Sequence, residues 1–332
     1  MKQLYSEKID IFTHILPPKY REALDKKAKY SFYQELNNLT PTLSDLDTRF
    51  RVMDRYEGLR HVLTIATPPL ESVVDPTTAT ELAQMANDMM AEIVAKYPDR
   101  FVAAVACLPM NNIDAALKET DRAIRELNFK GVQVFTPTNG KPLDSPEFMA
   151  LYDKMSEYDL PIWIHPVGDR EVPDYEGENH SRYGLWMLIG WPYETTAAMA
   201  RLVFSGVLER YPNIKFITHH CGAMVPFFAQ RIGAWGRQWL SRSPVEYLRM
   251  FYGDTATNGS VPALMCGYTF FGADHILFAT DMPYGDRDRE GGKTTEQTIS
   301  AVEAMDIPDL EKKKIFEGNA KRLLLLVDPT TE

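Results

Sequence analysis

Three histidines and one aspartate occupy the same place in four separate segments. His14 closes Lys8-Ile9-Asp10-Ile11-Phe12-Thr13-His14, and His165 closes Pro161-Ile162-Trp163-Ile164-His165. His219 closes Ile214-Lys215-Phe216-Ile217-Thr218-His219, and Asp281 closes Ile276-Leu277-Phe278-Ala279-Thr280-Asp281. Each segment is a short apolar run with turn residues close behind, the pattern of a strand buried on both faces. A carboxylate at the end of such a strand needs a partner, a proton or a metal, because an isolated buried charge is costly. Imidazole is a common metal ligand and, titrating near neutrality, a general acid or base. Strand ends that deliver three imidazoles and a carboxylate point to a metal centre with acid–base chemistry beside it.

These residues must be carried to one place by the rest of the chain. Further apolar runs at Val62–Ala66, Phe101–Cys107, Val132–Phe135 and Met250–Asp254 bring the expected strands to eight. Between them lie helical patterns: Arg49–Tyr56, Leu82–Tyr97, Ile113–Leu127, Pro146–Tyr158, Glu194–Tyr211, Met224–Trp239 and the tail Thr294–Val327. The stripe Leu82, Met85, Ala86, Met89, Met90 and Ile93 has the three-and-four spacing of a packed helix face and reads as core. Strands alternating with helices predict parallel pairing. Eight repeats in 332 residues predict one closed (β/α)8 TIM barrel, an α/β fold, over residues 1–332. Long loops at about 18–48 and 166–192 would then lie over the mouth. In such a barrel the carboxyl ends of all strands meet on one face, where active sites form. Strict alternation along the first strand would put Asp10, Phe12 and His14 on one face. His61 is expected ahead of its strand, at the opposite end, while His180 and His275 fall in loops and His220 reads as packing.

Composition excludes other classes. Lys and Arg number 36 against 46 Asp and Glu, a formal net charge of −10 without basic runs, which argues against nucleic acid and anionic membranes as partners. No apolar run approaches the roughly 20 residues of a membrane span. Three well-separated cysteines, Cys107, Cys221 and Cys266, suit reduced thiols in a cytoplasmic setting. No glycine-rich phosphate loop follows the first strand.

The motifs also resemble a known family. Ile9-Asp10-Ile11-Phe12-Thr13-His14-Ile15-Leu16-Pro17, Leu160–Pro166, Gly190-Trp191-Pro192-Tyr193-Glu194-Thr195-Thr196, Ile217-Thr218-His219-His220-Cys221-Gly222, Ala279-Thr280-Asp281-Met282-Pro283 and Gly318-Asn319-Ala320 follow one another in the order of the amidohydrolase superfamily. They are most similar to the branch that holds aminocarboxymuconate semialdehyde decarboxylase and γ-resorcylate decarboxylase. The resemblance implies one divalent metal, Zn2+ or Mn2+, held by His14, His165 and Asp281. The family's first-strand ligand is replaced by Phe12, which cannot coordinate, and Asp10 is the alternative donor on that strand. A second metal is not expected, since Val132–Thr136 lacks the bridging lysine of two-metal relatives. By the same resemblance His219 is the general acid/base beside the metal, with a third-histidine-ligand role as its alternative, and Asp281 shares the catalysis. Trp186 matches an aromatic wall of the substrate site or else anchors its loop. Arg49 and Arg51 are candidates to pair a substrate carboxylate, and Phe12 would face the same substrate. Three functions remain open. The first is a metal-dependent decarboxylase of an aromatic or unsaturated carboxylic acid, without an organic cofactor. The second is a hydrolase of a lactone, amide or carbon–carbon bond at the same site, and the third a barrel that only binds. A homodimer through the aromatic Phe227–Trp239 helix is a further expectation.

Overall fold

The computed structural model describes residues 5–29, 31–235, 239–285 and 290–326. Its strands are β1 (Lys8–Ile15), β2 (Leu59–Ile65), β3 (Phe101–Ala104), β4 (Val132–Thr136), β5 (Ile162–Pro166), β6 (Phe216–Thr218), β7 (Tyr252–Asp254) and β8 (Ile276–Leu277). All neighbouring pairs are parallel, in two arcs, β1 to β3 and β4 to β8. The arcs join where Ala106 N donates to Gly131 O and Gln133 N to Ala106 O, each at 2.9 Å. At the other seam Ile11 N donates to Phe278 O at 3.0 Å and His14 N to Met282 O at 2.7 Å. The strands therefore follow one another around a ring, the (β/α)8 barrel the sequence predicts.

Burial on both faces explains the apolar runs. Inside the ring, Ile9, Ile11, Val62, Val105, Trp163, Ile217 and Leu277 make one cluster, with Trp163 Nε1 donating to Ile11 O at 3.0 Å. Outside it, Leu63, Phe101, Val134, Ile164, Phe216 and Phe278 pack under the helices. The helix Pro76–Lys96 starts on Asp75, whose side chain accepts from Thr77 N and Thr78 N, with proline in the first turn. Its buried stripe includes Leu82, Ala86 and Met90, whereas Met85 is turned out.

One local feature overturns the expected face of β1. Asp10 pairs with His61 and Thr13 with Leu63, so three steps on β1 match two on β2. That β-bulge reverses the alternation. Ile9 and Ile11 fill the barrel, Phe12 and His14 face its mouth, and Asp10 lies behind the wall with Thr280.

Other boundaries move for identifiable reasons. The pattern over Glu194–Tyr211 divides into helices Gly190–Phe204 and Val207–Arg210, because Gly206 takes a left-handed conformation (φ 80°) that ends the first. The tail breaks after helix Gly292–Glu303 and resumes as Asp309–Lys313, a π-helical turn Lys314–Gly318 and Asn319–Leu323, and Val327 lies outside the described residues. The helix expected at Met224–Trp239 is Val225–Trp235; residues 236–238 lie outside the described set, and Trp239 follows in a turn. His61 sits within β2 rather than before it, buried against Phe101 and Arg49. The first insertion folds as helices Pro18–Lys27 and Phe32–Asn38. Tyr33 Oη donates to Gly168 O at 2.6 Å and Asn37 Nδ2 to Thr67 O at 2.7 Å, which pins it over the carboxyl-end face.

Candidate active site

The four strand-end residues converge. One ligand-capable atom from each of His14, His165, His219 and Asp281 lies within 4.8 Å of the others. Asp281 Oδ1 stands 3.0 Å from His14 Nε2 and 3.1 Å from His219 Nε2. The three imidazoles are buried, and the cluster reaches solvent only along the Asp281 side chain, 19% exposed. His219 and Asp281 each lie just past the regular part of their strands, because the backbone turns at both sites. His220, Cys221, Gly222 and Ala223 all have positive φ after β6, and Asp281 has φ 65° after β8. Such conformations persist only where surrounding contacts enforce them, and they gather at functional sites.

Each imidazole is anchored through Nδ1. His165 Nδ1 donates to Pro166 O at 2.6 Å. His14 Nδ1 lies 3.3 Å from Thr64 Oγ1, whose own hydroxyl donates to Thr13 O, so the threonine oxygen accepts from the ring. His219 Nδ1 donates to the buried carboxylate of Asp254, which also accepts from Cys221 N at 3.1 Å and Ala256 N at 3.0 Å. These contacts fix the ring orientations and direct every Nε2 inward, the arrangement of metal-bound histidines.

The site's electrostatics call for a cation. Burial opposes charge on His219, but the Asp254 and Asp281 carboxylates prevail and push it up to about 10. Burial likewise opposes the Asp281 carboxylate, yet His219 and His14 hold it well below the usual carboxylate range. Burial, reinforced by His14 and His219, keeps His165 neutral, with its Nε2 lone pair free. The His219 Nε2 is buried and makes no hydrogen bond of acceptable geometry despite its closeness to Asp281. His14 Nε2 lies 3.0 Å from Asp281 Oδ1, a spacing that either a proton or a cation between the two atoms satisfies. The donor set thus fits a divalent metal.

Phe12 is fully buried beneath these rings, stacked on His219 with centroids 4.1 Å apart and planes at 24°. Asp10, the alternative ligand, does not join them. The bulge turns it away, and its oxygens accept from Phe12 N at 3.3 Å and from Thr280 N and Oγ1. Nor do the arginines converge on the cluster. Arg49 is fully buried and gives its Nη2 to the carbonyls of His14 and Thr42, while Arg51 is exposed and donates to Thr48 Oγ1 at 2.6 Å. Arg49 thus makes structural contacts within the wall and Arg51 a contact on the surface.

Trp186 is buried edge-on to Phe32, Tyr33 and Trp191, and Trp191 in turn lies 5.6 Å from the His165 ring. Trp186, Phe32, Tyr33, Pro69, Pro137 and Val167 border a cavity of about 640 Å³, which none of the four clustered residues lines. Tyr284 stands over His14, ring centroids 5.4 Å apart, with its hydroxyl donating to Asn37 Oδ1 at 2.7 Å. His220 packs its ring 4.0 Å from His219, His275 stacks on Tyr252 at 4.4 Å, and His180 is exposed. Sequence reasoning overlooked Asp254, Trp191 and Tyr284. Asp254 ends a strand as Asp281 does, and that shared position was its available signal.

A parallel barrel with three histidines and an aspartate at its carboxyl-end mouth is the architecture of metal-site amidohydrolases. The chain belongs to that family, whose description is Amidohydrolase and which matches residues 9–326. It is 31% identical over 304 residues to a gamma-resorcylate decarboxylase of Polaromonas sp., covering 84% of this chain and 87% of that one. It is 29% identical over 353 residues to the 2-amino-3-carboxymuconate-6-semialdehyde decarboxylase of Dictyostelium discoideum, covering 98% and 93%. A dihydroxybenzoic acid decarboxylase from Polaromonas sp., solved with bound manganese and the inhibitor 2-nitroresorcinol, superposes with a TM-score of 0.78 at 27% identity, covering 97% of each chain.

Proposed function

We propose that this protein is a metal-dependent decarboxylase of an aromatic or unsaturated carboxylic acid that needs no organic cofactor. The observation that carries the reading is the convergence of His14, His165, His219 and Asp281 at a barrel mouth walled by aromatic rings. The decarboxylase relatives support it. A divalent ion held there supplies positive charge that favours binding of a carboxylate and charge build-up on the substrate as the carbon–carbon bond breaks. His14, His165 and Asp281 would hold the ion, and Asp281 or His219 would move a proton to the carbon that loses carbon dioxide. Trp191 and Trp186 line the approach for a planar, small-molecule acid, and Phe12 keeps the floor dry.

Two imidazoles and a carboxylate with an open position suit zinc, whereas manganese is the ion bound by the Polaromonas relative. Three free thiols, Cys107, Cys221 and Cys266, suit a reducing cytoplasm. No helix among the described residues is long and apolar enough to cross a membrane. Exposed Phe227 (78%) and Phe228 (39%) mark the face through which a homodimer would form. Phe227→Glu is then expected to give a monomer by light scattering.

The deciding experiment is a screen of hydroxybenzoates, aminocarboxymuconate-like acids and lactones. Carbon dioxide release would be followed against ring opening, with His219→Ala and Asp281→Asn as controls. Ring opening without carbon dioxide would favour a hydrolase at the same site. Turnover unaffected by either substitution would remove the site assignment. Purified protein that holds under about a tenth of an equivalent of zinc or manganese, with no gain on metal addition, would favour the inactive barrel.

A further inference from the structure

We infer that His219 is a metal ligand, so that His14, His165, His219 and Asp281 form the complete protein donor set. This rests on the reading of the cluster as a metal centre and deepens it. The first argument is equivalence. His219 is treated as His14 and His165 are: Nδ1 is tied to a fixed acceptor, Asp254 in this case, and Nε2 is turned into the shared space. A carboxylate behind a histidine fixes ring orientation and raises the basicity of the inner nitrogen, the usual support for a ligand. The second argument is that His219 Nε2 is a buried polar atom without a hydrogen bond. It sits 3.1 Å from Asp281 Oδ1, close to the spacing of two donors on one ion.

The third argument is what Phe12 removes. Its ring lies 5.4 Å from that of His14 and 5.7 Å from that of His165, and stacks on His219, so the β1 position beside His14 offers no donor. Asp10 is held behind the wall by Thr280. Four-coordination by protein side chains can then be reached only through His219.

The test needs no substrate. Cu(II) added to the chelator-treated full-length protein is studied by pulsed EPR, which counts coordinated imidazoles through their remote nitrogens. Zinc affinity is measured in parallel by competition with a chromophoric chelator. Three imidazoles are expected in the wild type and two in His219→Ala. The zinc affinity of that variant should fall by about 100-fold or more, beyond the roughly 10–100-fold typical of losing an outer partner. The count in the wild type decides the matter even if the variant does not fold. Two imidazoles in the wild type, zinc affinity within threefold in His219→Ala, or no metal uptake at all would each overturn the inference. A protein that shows three imidazoles yet releases no carbon dioxide from any acid in the screen would instead refute the decarboxylase reading alone.

Discussion

Asp254→Asn isolates the residue that sequence reasoning overlooked. The wild-type carboxylate accepts three hydrogen bonds, from His219 Nδ1, Cys221 N and Ala256 N, and is fully buried. Asparagine keeps the shape and can leave its oxygen on the two backbone donors. Its amide nitrogen must then face His219. Two N–H groups cannot meet there, so the ring moves its proton to Nε2 and withdraws its inward lone pair, or the contact opens. The loss is one hydrogen bond to a charged group, about 1.5–3 kcal/mol. At about 1.4 kcal/mol per tenfold this corresponds to roughly 10–150-fold. The expected result is a drop of that size in zinc affinity and in kcat/KM, with circular dichroism unchanged. Affinity and turnover both within about threefold of wild type, in a folded protein, would show that the Asp254–His219 contact does not set the ring's tautomer. The stated argument for an inward Nε2 would then fail.

Other consequences follow from groups placed away from the cluster. Glu71 is buried with one oxygen lacking a partner, and burial pushes its carboxyl from 4.5 up to about 7. The unfolded chain therefore loses this proton first as pH rises. The stability of the neutral form is complete below about pH 4.5 and is lost as pH climbs through 7. Glu71→Gln, measured by urea unfolding at pH 4.5 and pH 8, should gain on the wild type by roughly 3 kcal/mol over that interval; parallel profiles would contradict the burial argument. Arg49→Met leaves the carbonyls of His14 and Thr42 without their donor. It should cost about 2–5 kcal/mol of stability with KM little changed, whereas a raised KM at full stability would return the arginine to a substrate role. Trp186→Ala removes an edge-to-face wall worth about 0.5–1.5 kcal/mol. KM for an aromatic acid should rise about 2–10-fold, and an unchanged KM would reduce Trp186 to a loop anchor.

What could be read from the sequence was local in origin. Apolar runs ending in His165, His219 or Asp281 announce both a buried strand and its carboxyl end, because burial and turn chemistry are written in adjacent residues. Once the barrel is accepted, convergence of those ends needs no knowledge of contacts. The partners of these residues were not legible, since they depend on how the backbone leaves each strand. The left-handed run His220–Ala223 brings Cys221 N onto Asp254 and seats His219 beside it, and only Gly222 in that run is a residue that favours positive φ. Arg49 misled for a different reason. A charged residue on a helix is ordinarily solvated, and only the packed layers show that its guanidinium fills the space behind β1.

The bulge in β1 links these observations. Without it, alternation would put Asp10, Phe12 and His14 along one line and send a carboxylate into the barrel interior. With one extra residue, Ile9 and Ile11 take the interior and Asp10 is turned toward Thr280, whose N–H and hydroxyl it accepts. That single carboxylate also accepts from Phe12 N. It therefore ties the bulge to the residue immediately before Asp281, so the strand that supplies His14 and the strand that supplies Asp281 are set relative to each other from behind. Phe12 is then placed as a flat apolar floor under the imidazoles. An apolar floor lowers the local dielectric and strengthens every interaction between the cluster and a bound cation. On this reading the inward ring of Phe12 and the outward acid of Asp10 are two results of one backbone irregularity. The sequence pattern alone, which assumes strict alternation, placed Phe12 correctly beside His14 but put Asp10 on the same face.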